Sequence, residues 1–446
     1  MRTWIKRPLA IFSDQAKGGI VIEDSLIAEY VGQGASPEKE CDRIFDASEH
    51  VVLPGLINTH HHFYQTLTRA CPPALNKKLF DWLEALYPIW ARLTPDQLYD
   101  ATRLALAELL LSGCTTASDH HYVFPQGLEE AVDIQIQAAR EIGVRVTISR
   151  GSMNLSVEEG GQPPRSTVQD EDTILADCER VINAYHDPQD GSFQNIVLAP
   201  CSPFSVTESI MVETARLADE KNVGLHTHLA ETEDEVHFCE QQYGCRPLDY
   251  LENTGWLSDR VWLAHGIHFS EDEIERLGRA GTSVSHCPGS NMLLASGICP
   301  ALDLKQAGVP VGIGVDGSAS EDASNLIQEV KQALLVQKLR YGAHKVNHLD
   351  VIQWATEGSA HCLGRQDIGK IEVGRQADLA MYKLDEPRFS GAWDPMAAII
   401  LCGAHRADRV MIAGEWRVVD GNIIDFDLQQ LMAEHDQSAK ALASNL

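Results

Sequence analysis

The sequence predicts an α/β fold: a (β/α)8 TIM-like barrel with a small composite β-sandwich domain built from both chain ends. Two observations point there. Through the middle of the chain, short apolar, β-branched runs alternate with longer helical patterns, eight times over. Both ends instead carry short strand patterns separated by glycine-bearing turns. A length of 446 residues allows two or three domains at about 150 residues each, and single barrels run to about 250 or more.

The barrel strands are predicted, in order, at Val51–Ile57, Cys114–Ser118, Val144–Arg150, Ile196–Cys201, Val223–Leu229, Val261–His265, Thr282–His286 and Val311–Asp316. Helices are predicted between them, among others at Gln97–Leu111, Leu128–Ile142, Thr173–Ala184, Ser209–Lys221 and Glu271–Ala280, where apolar residues recur at helical spacing. The sandwich is predicted from Ile20-Val21-Ile22 near the start. Near the end it takes Ile371-Glu372-Val373, Leu379–Tyr382, Val410–Ile412 and Trp416–Val419, the last before an Asp420-Gly421 turn. This divides the chain into 1–50, the N-terminal part of the small domain; 51–365, the barrel; and 366–446, the rest of the small domain plus an amphipathic terminal helix. Segment 63–96 holds Phe80, Trp82, Tyr87, Pro88 and Trp90 after the first barrel strand. It reads either as an aromatic wall for a flat substrate or as ordinary loop packing.

Composition narrows the class. Hydrophobic residues make up 44% and charged residues 22%, which excludes disorder, collagen and coiled coil for the bulk of the chain. The balance of 36 basic against 64 acidic residues, −28 net, runs against a nucleic-acid partner. Eleven cysteines without a CxxC read as reduced, mostly buried thiols. Arg2, Lys6 and Arg7 precede only four apolar residues, Leu9–Phe12, too few for a signal-peptide core, and no run approaches the roughly 18 of a membrane span. A cytoplasmic protein with a small-molecule partner and no membrane contact is expected; homo-oligomerisation is left open.

The chemistry lies at strand ends. His60 and His62 close the first strand, and residues two apart on a strand point the same way, so both can bind one ion while His61 points elsewhere. His226-Thr227-His228-Leu229-Ala230-Glu231 ends the fifth strand, His265 the sixth and Asp316 the eighth. Each alone has a plainer reading: a locally bonded histidine, or an aspartate before a glycine turn. Together, three neutral imidazoles and a carboxylate suit one divalent ion, zinc foremost. Such an ion lowers the pKa of a bound water from about 15.7 toward 7. Glu231, three residues past His228, is placed to shuttle the protons.

This set resembles the amidohydrolase superfamily, and within it the aminohydrolases that deaminate or dechlorinate nitrogen heterocycles. The resemblance spans nearly the whole chain, including Ile368–Leu379, similar to the family's return strand. It implies His60, His62, His228 and Asp316 as metal ligands, and Glu231, His265 and Asp316 as the catalytic set. Without a lysine on the fourth strand, it implies one metal ion. Gln65 matches a glutamine that holds the purine in guanine-deaminating members. Those members also carry Arg-Phe after the fourth-strand proline, whereas Cys201-Ser202 follows Pro200 here. Trp90 stands where nucleoside-deaminating members place a ribose-binding glutamate, which points to a free base. The implied reaction is hydrolysis of an oxidised purine, 8-oxoguanine, to urate and ammonia. Guanine, isocytosine, a pterin, S-adenosylhomocysteine or a triazine are alternatives, as is a non-catalytic scaffold. Gln65, Trp82, Trp90, Arg150 and Cys201 are the residues expected to recognise the base. For Arg150 a salt bridge, and for Cys201 a buried apolar role, are the plain alternatives.

Overall fold

Eight parallel strands close into a barrel in the computed structural model, which describes residues 1–444. They are Leu56–Asn58, Cys114–His121, Arg145–Ser152, Gln194–Pro200, Leu225–Leu229, Val261–His265, Ser283–His286 and Val311–Ile313. Each pairs with the next, and the circle closes where Ile313 meets Asn58. The helices Pro95–Leu111, Ala131–Ile142, Glu171–Tyr185, Glu208–Lys221 and Glu271–Ala280 occupy the periodic stretches between strands. Thr94 and Ser270 start two of them with reciprocal capping boxes to Gln97 and Glu273.

Three expectations are corrected. The run Val51–Ile57 is two strands: His50–Pro54 belongs to an outer sheet, and only Leu56–Asn58 enters the barrel. The break falls at Pro54-Gly55. A Cβ on Gly55 would stand 2.1 Å from Thr115 Oγ1, so only glycine lets the chain pass the second barrel strand there. The eighth strand stops at Ile313, which leaves Asp316 on the following loop with φ of 69°. Ile371–Val373 is not a strand. Gly369 and Gly374, with φ of 83° and 90°, turn the chain on either side, and Ile371 is buried as a loop residue.

Outside the barrel lie two sheets. One contains Arg2–Lys6, Gly19–Glu23, Leu26–Val31 and Arg43–Asp46; the other joins Ala10–Ile11 and His50–Pro54 to four C-terminal strands, Leu379–Lys383, Arg409–Ile412, Glu415–Val419 and Asn422–Ile423. Alternation fixes how the second sheet sits. Val52, Leu379, Met381 and Met411 pack with Ile5, Ile20 and Ile22 of the first sheet. Val51, Leu53, Ala380, Tyr382, Val410 and Ile412 face the barrel helices instead. A buried Arg145–Asp378 pair, Nε to Oδ2 2.8 Å, ties the third barrel strand to this sheet.

The terminal helix Leu428–Ala443 lies across Pro95–Leu111, and His435 Nε2 reaches Thr66 Oγ1 at 3.0 Å. It thereby braces the short helical turns Phe63–Thr68 that follow the first barrel strand. Residues 445 and 446, included in the expected terminal helix, lie outside the described residues. Among those described, no helix is long and apolar enough to cross a membrane, and all eleven cysteines are free thiols.

Candidate active site

At the end of the barrel where its strands finish, three imidazoles and a carboxylate converge. His62 Nε2 stands 3.2 Å from His228 Nε2, and both His60 Nε2 and His62 Nε2 stand 3.3 Å from Asp316 Oδ1. Their outer nitrogens are all engaged. His62 Nδ1 donates to the His120 carbonyl at 2.7 Å and His228 Nδ1 to the Cys201 carbonyl at 2.7 Å. His226 Nδ1 donates to the Trp262 carbonyl, so its Nε2 accepts from His60 Nδ1, each at 2.8 Å. These bonds fix the tautomers, and each Nε2 of the three converging imidazoles presents a bare lone pair to the centre.

Bare lone pairs this close repel unless a cation lies among them. Four donors set tetrahedrally about 2.0–2.1 Å from an ion stand roughly 3.3 Å apart, close to the separations found. His60 Nε2 is buried with no hydrogen-bond partner. Burial holds His228 down to about 3 and His60 well below the usual histidine value, so both are neutral. Burial opposes charge on Asp316, but the surrounding imidazoles, the proton-holding His265 among them, outweigh it and hold the carboxyl well below its usual range. Three neutral histidines with one ionised carboxylate fit a divalent metal ion.

Glu231 and His265 face the same point. Glu231 Oε2 is 3.5 Å from His265 Nε2, which lies 3.8 Å from Asp316 Oδ2. Burial pushes Glu231 up to about 7. For His265 burial works against the charge, yet the Glu231 and Asp316 carboxylates outweigh it and raise its proton affinity. His265 Nδ1 donates to Asn291 Oδ1 at 2.8 Å, which fixes the ring. Ala230, His265 and Asp316 have φ of 53°, 73° and 69°, so three of the chain's left-handed non-glycine residues meet at this site.

A cleft opens over the cluster. Its floor is His62, His228, Glu231, His265 and Asp316; Leu79, Trp82, Leu83, Tyr87, Phe204 and Leu294 form apolar walls, and Tyr122, Cys201, Gln65 and Ser320 complete it. Gln65 Oε1 accepts weakly from Ala319 N at 3.4 Å, and its Nε2 is a buried donor without a partner. Gly317 makes room for it, since a Cβ there would meet Gln65 Oε1 at 2.0 Å. Cys201 lines the cavity as a protonated thiol, pushed by burial up to about 12.

Two expected base contacts are not on the lining. Trp90 stands behind Trp82, ring centroids 5.4 Å apart, and donates Nε1 to Thr68 Oγ1 at 3.2 Å. Segment 63–96 is thus both wall and packing: Trp82 faces the cavity and Trp90 supports it. Arg150 is spent internally. Its guanidinium pairs with Asp177 at 2.7 Å, bonds Gln169 at 2.9 Å and lies 3.9 Å over the Phe124 ring. Sequence reasoning missed Tyr122, Phe204, Leu294 and Ser320 as lining residues. Tyr122 directly follows the second strand's His120-His121, a position that could have marked it; Leu294 and Ser320 carry no chemical signal.

An amidohydrolase family model matches residues 51–417. The chain is 59% identical, over 99% of its length and 99% of the relative's, to 8-oxoguanine deaminase of Pseudomonas aeruginosa (strain PAO1). It is 40% identical to hydroxydechloroatrazine ethylaminohydrolase of Pseudomonas sp. (strain ADP), over 76% of this chain and 71% of that one. Among solved structures, atrazine chlorohydrolase TrzN of Arthrobacter aurescens TC1, in complex with zinc, superposes with a TM-score of 0.93 at 31% identity, covering 98% and 100% of the two chains. A closed parallel barrel, a converging cluster of three histidines and an aspartate beside a Glu–His pair, and these likenesses give one conclusion: the chain belongs to the amidohydrolase family.

Proposed function

We propose that the protein hydrolyses 8-oxoguanine to urate and ammonia. The observation that carries the substrate is the 59% identity to 8-oxoguanine deaminase across 99% of both chains. The cavity supports it, with apolar walls, one unpaired amide donor and no lysine or arginine on its lining.

His60, His62, His228 and Asp316 would hold the divalent ion, which we assign as zinc. When bound, it supplies a nucleophilic hydroxide at neutral pH by acidifying a water. Glu231, with its carboxyl near 7, is placed to take a proton from the attacking water and deliver it to the ring nitrogen beside the carbon bearing the exocyclic amine. His265 donates from Nε2 toward the oxygen that gains charge at that carbon, and its own charge is held by Glu231 and Asp316. The carbon–oxygen bond forms; Asp316 and Glu231 then pass the remaining hydroxyl proton to the exocyclic nitrogen, whose bond to carbon breaks, so that it leaves as ammonia while the ring nitrogen keeps the first proton. Gln65 Nε2 holds the base, Trp82 and its apolar neighbours exclude water, and Cys201 Sγ closes one edge.

The discriminating experiment compares kcat/KM for ammonia release from 8-oxoguanine, guanine, isocytosine and S-adenosylhomocysteine. The highest value is expected for 8-oxoguanine. A higher value for another member moves the substrate and leaves the site chemistry standing.

A further inference from the structure

A second buried carboxylate stands beside Glu231, and the reaction does not use it. Glu235 sits in the first turn of the helix Glu233–Tyr243 and is wholly buried. Its oxygens fold back past the helix start. Oε1 accepts from the Ala230 N–H and Oε2 from the Glu231 N–H, each at 2.9 Å. The charged groups that face it are Glu231 and His265, and burial pushes its carboxyl up to about 7.

The dipeptide it holds is strained. Ala230 has φ of 53°, a left-handed conformation that side chains other than glycine's adopt at a cost. From the far side, the Ala230 carbonyl accepts from Ile267 N and His268 N, both at 2.9 Å. The turn is thus gripped from two directions: the loop after the sixth strand takes its carbonyl, and Glu235 takes its two amides. Burying a carboxylate without a cation is expensive. A glutamine at 235 would be cheaper to bury, but its NH2 would face one of the two N–H donors. Only a two-oxygen acceptor satisfies both amides at once.

We infer that Glu235 is a positioning residue: its carboxylate clamps the Ala230–Glu231 turn and keeps the Glu231 side chain aimed into the cavity, within reach of His265. This role rests on Glu231 being the proton carrier.

The test compares Glu235→Gln, Glu231→Gln and the double variant, all metal-loaded, and adds a crystal structure of Glu235→Gln. Glu235→Gln is expected to lower kcat by about ten- to a hundredfold, the scale of a small misplacement, with KM within about twofold. In the double variant it should add nothing to the loss from Glu231→Gln, because both act through one group. The crystal structure should show the Glu231 carboxylate turned away from His265. An unmoved Glu231, unchanged kcat, or losses that add in the double variant overturn the inference. If Glu231→Gln itself keeps full turnover, the proton-carrier assignment fails, and the crystal structure still decides the clamp. Should the glutamine variant not fold, Glu235→Asp, too short to reach both amides, takes its place in each comparison, with the same results expected and the same results overturning the clamp.

Discussion

Glu231 is a carboxylic acid buried in the cavity floor, and its burial is what tunes it. Poised near 7, it both accepts and returns a proton at neutral pH. Glu231→Gln is therefore expected to leave metal content intact and to lower kcat by about 10²–10⁴, the range for a positioned acid–base group; metal analysis alongside steady-state kinetics checks this. Gln65 has a separable role. Its buried Nε2 has no partner in the protein, so Gln65→Ala should weaken binding of the base about tenfold, one hydrogen bond of ~1.4 kcal/mol. An unchanged dissociation constant removes Gln65 from base recognition. The residues we propose for metal binding and proton transfer are legible because they repeat a chemical type at a fixed spacing on strand ends: His60 and His62, His228 and Glu231, His265, Asp316. Arg150 misleads for the opposite reason. A guanidinium near a site is conspicuous in sequence, but its partners Asp177 and Gln169 lie 27 and 19 residues away, and nothing local announces them.

The elements that carry the site are set by backbone rules, and these are partly legible. Val261–His265 and Glu271–Ala280 form over the residues their periodicity marks. Val51–Ile57 reads as one strand because an apolar run does not say which sheet it joins; the close approach of Gly55 to Thr115 is a tertiary fact. Ile371–Val373 has strand composition, yet its flanking glycines turn it out of any sheet. The second barrel strand adds an anchor that periodicity hides. Asp119 is buried there and accepts from Phe63 N and Gln135 Nε2, both at 2.6 Å, so it pins the turn that carries Gln65. Burial pushes its carboxyl from 3.8 up to about 7. The native state then holds this proton more tightly than the unfolded chain does. Its contribution to stability is full below about pH 4, is lost as pH rises toward 7, and is flat above. The stability of the wild type relative to Asp119→Asn, followed by urea denaturation, should decline across that window. A difference that stays constant contradicts a raised Asp119.

At the scale of the molecule, the metal cluster draws its residues from the ends of the first, fifth and eighth barrel strands, with His265 of the sixth beside it, so cation binding and barrel integrity are coupled. Three inward lone pairs and a carboxylate, with His62 at 3.2 Å from His228 and Asp316 at 3.3 Å from both His60 and His62, favour the folded state only when a cation offsets them. Chelation should lower the melting temperature, and reloading should restore it. Each tenfold excess of metal over its dissociation constant contributes about 1.4 kcal/mol, and a melting temperature indifferent to chelator contradicts the coupling. The central claim is that this cluster and cavity deaminate an oxidised purine. The most direct measurement follows urate and ammonia together as the zinc-loaded protein acts on 8-oxoguanine, before and after metal removal. The account predicts equal amounts of the two products, abolished by chelation and restored by zinc. Metal-loaded protein that forms neither product, or turnover that persists after the metal is gone, contradicts it.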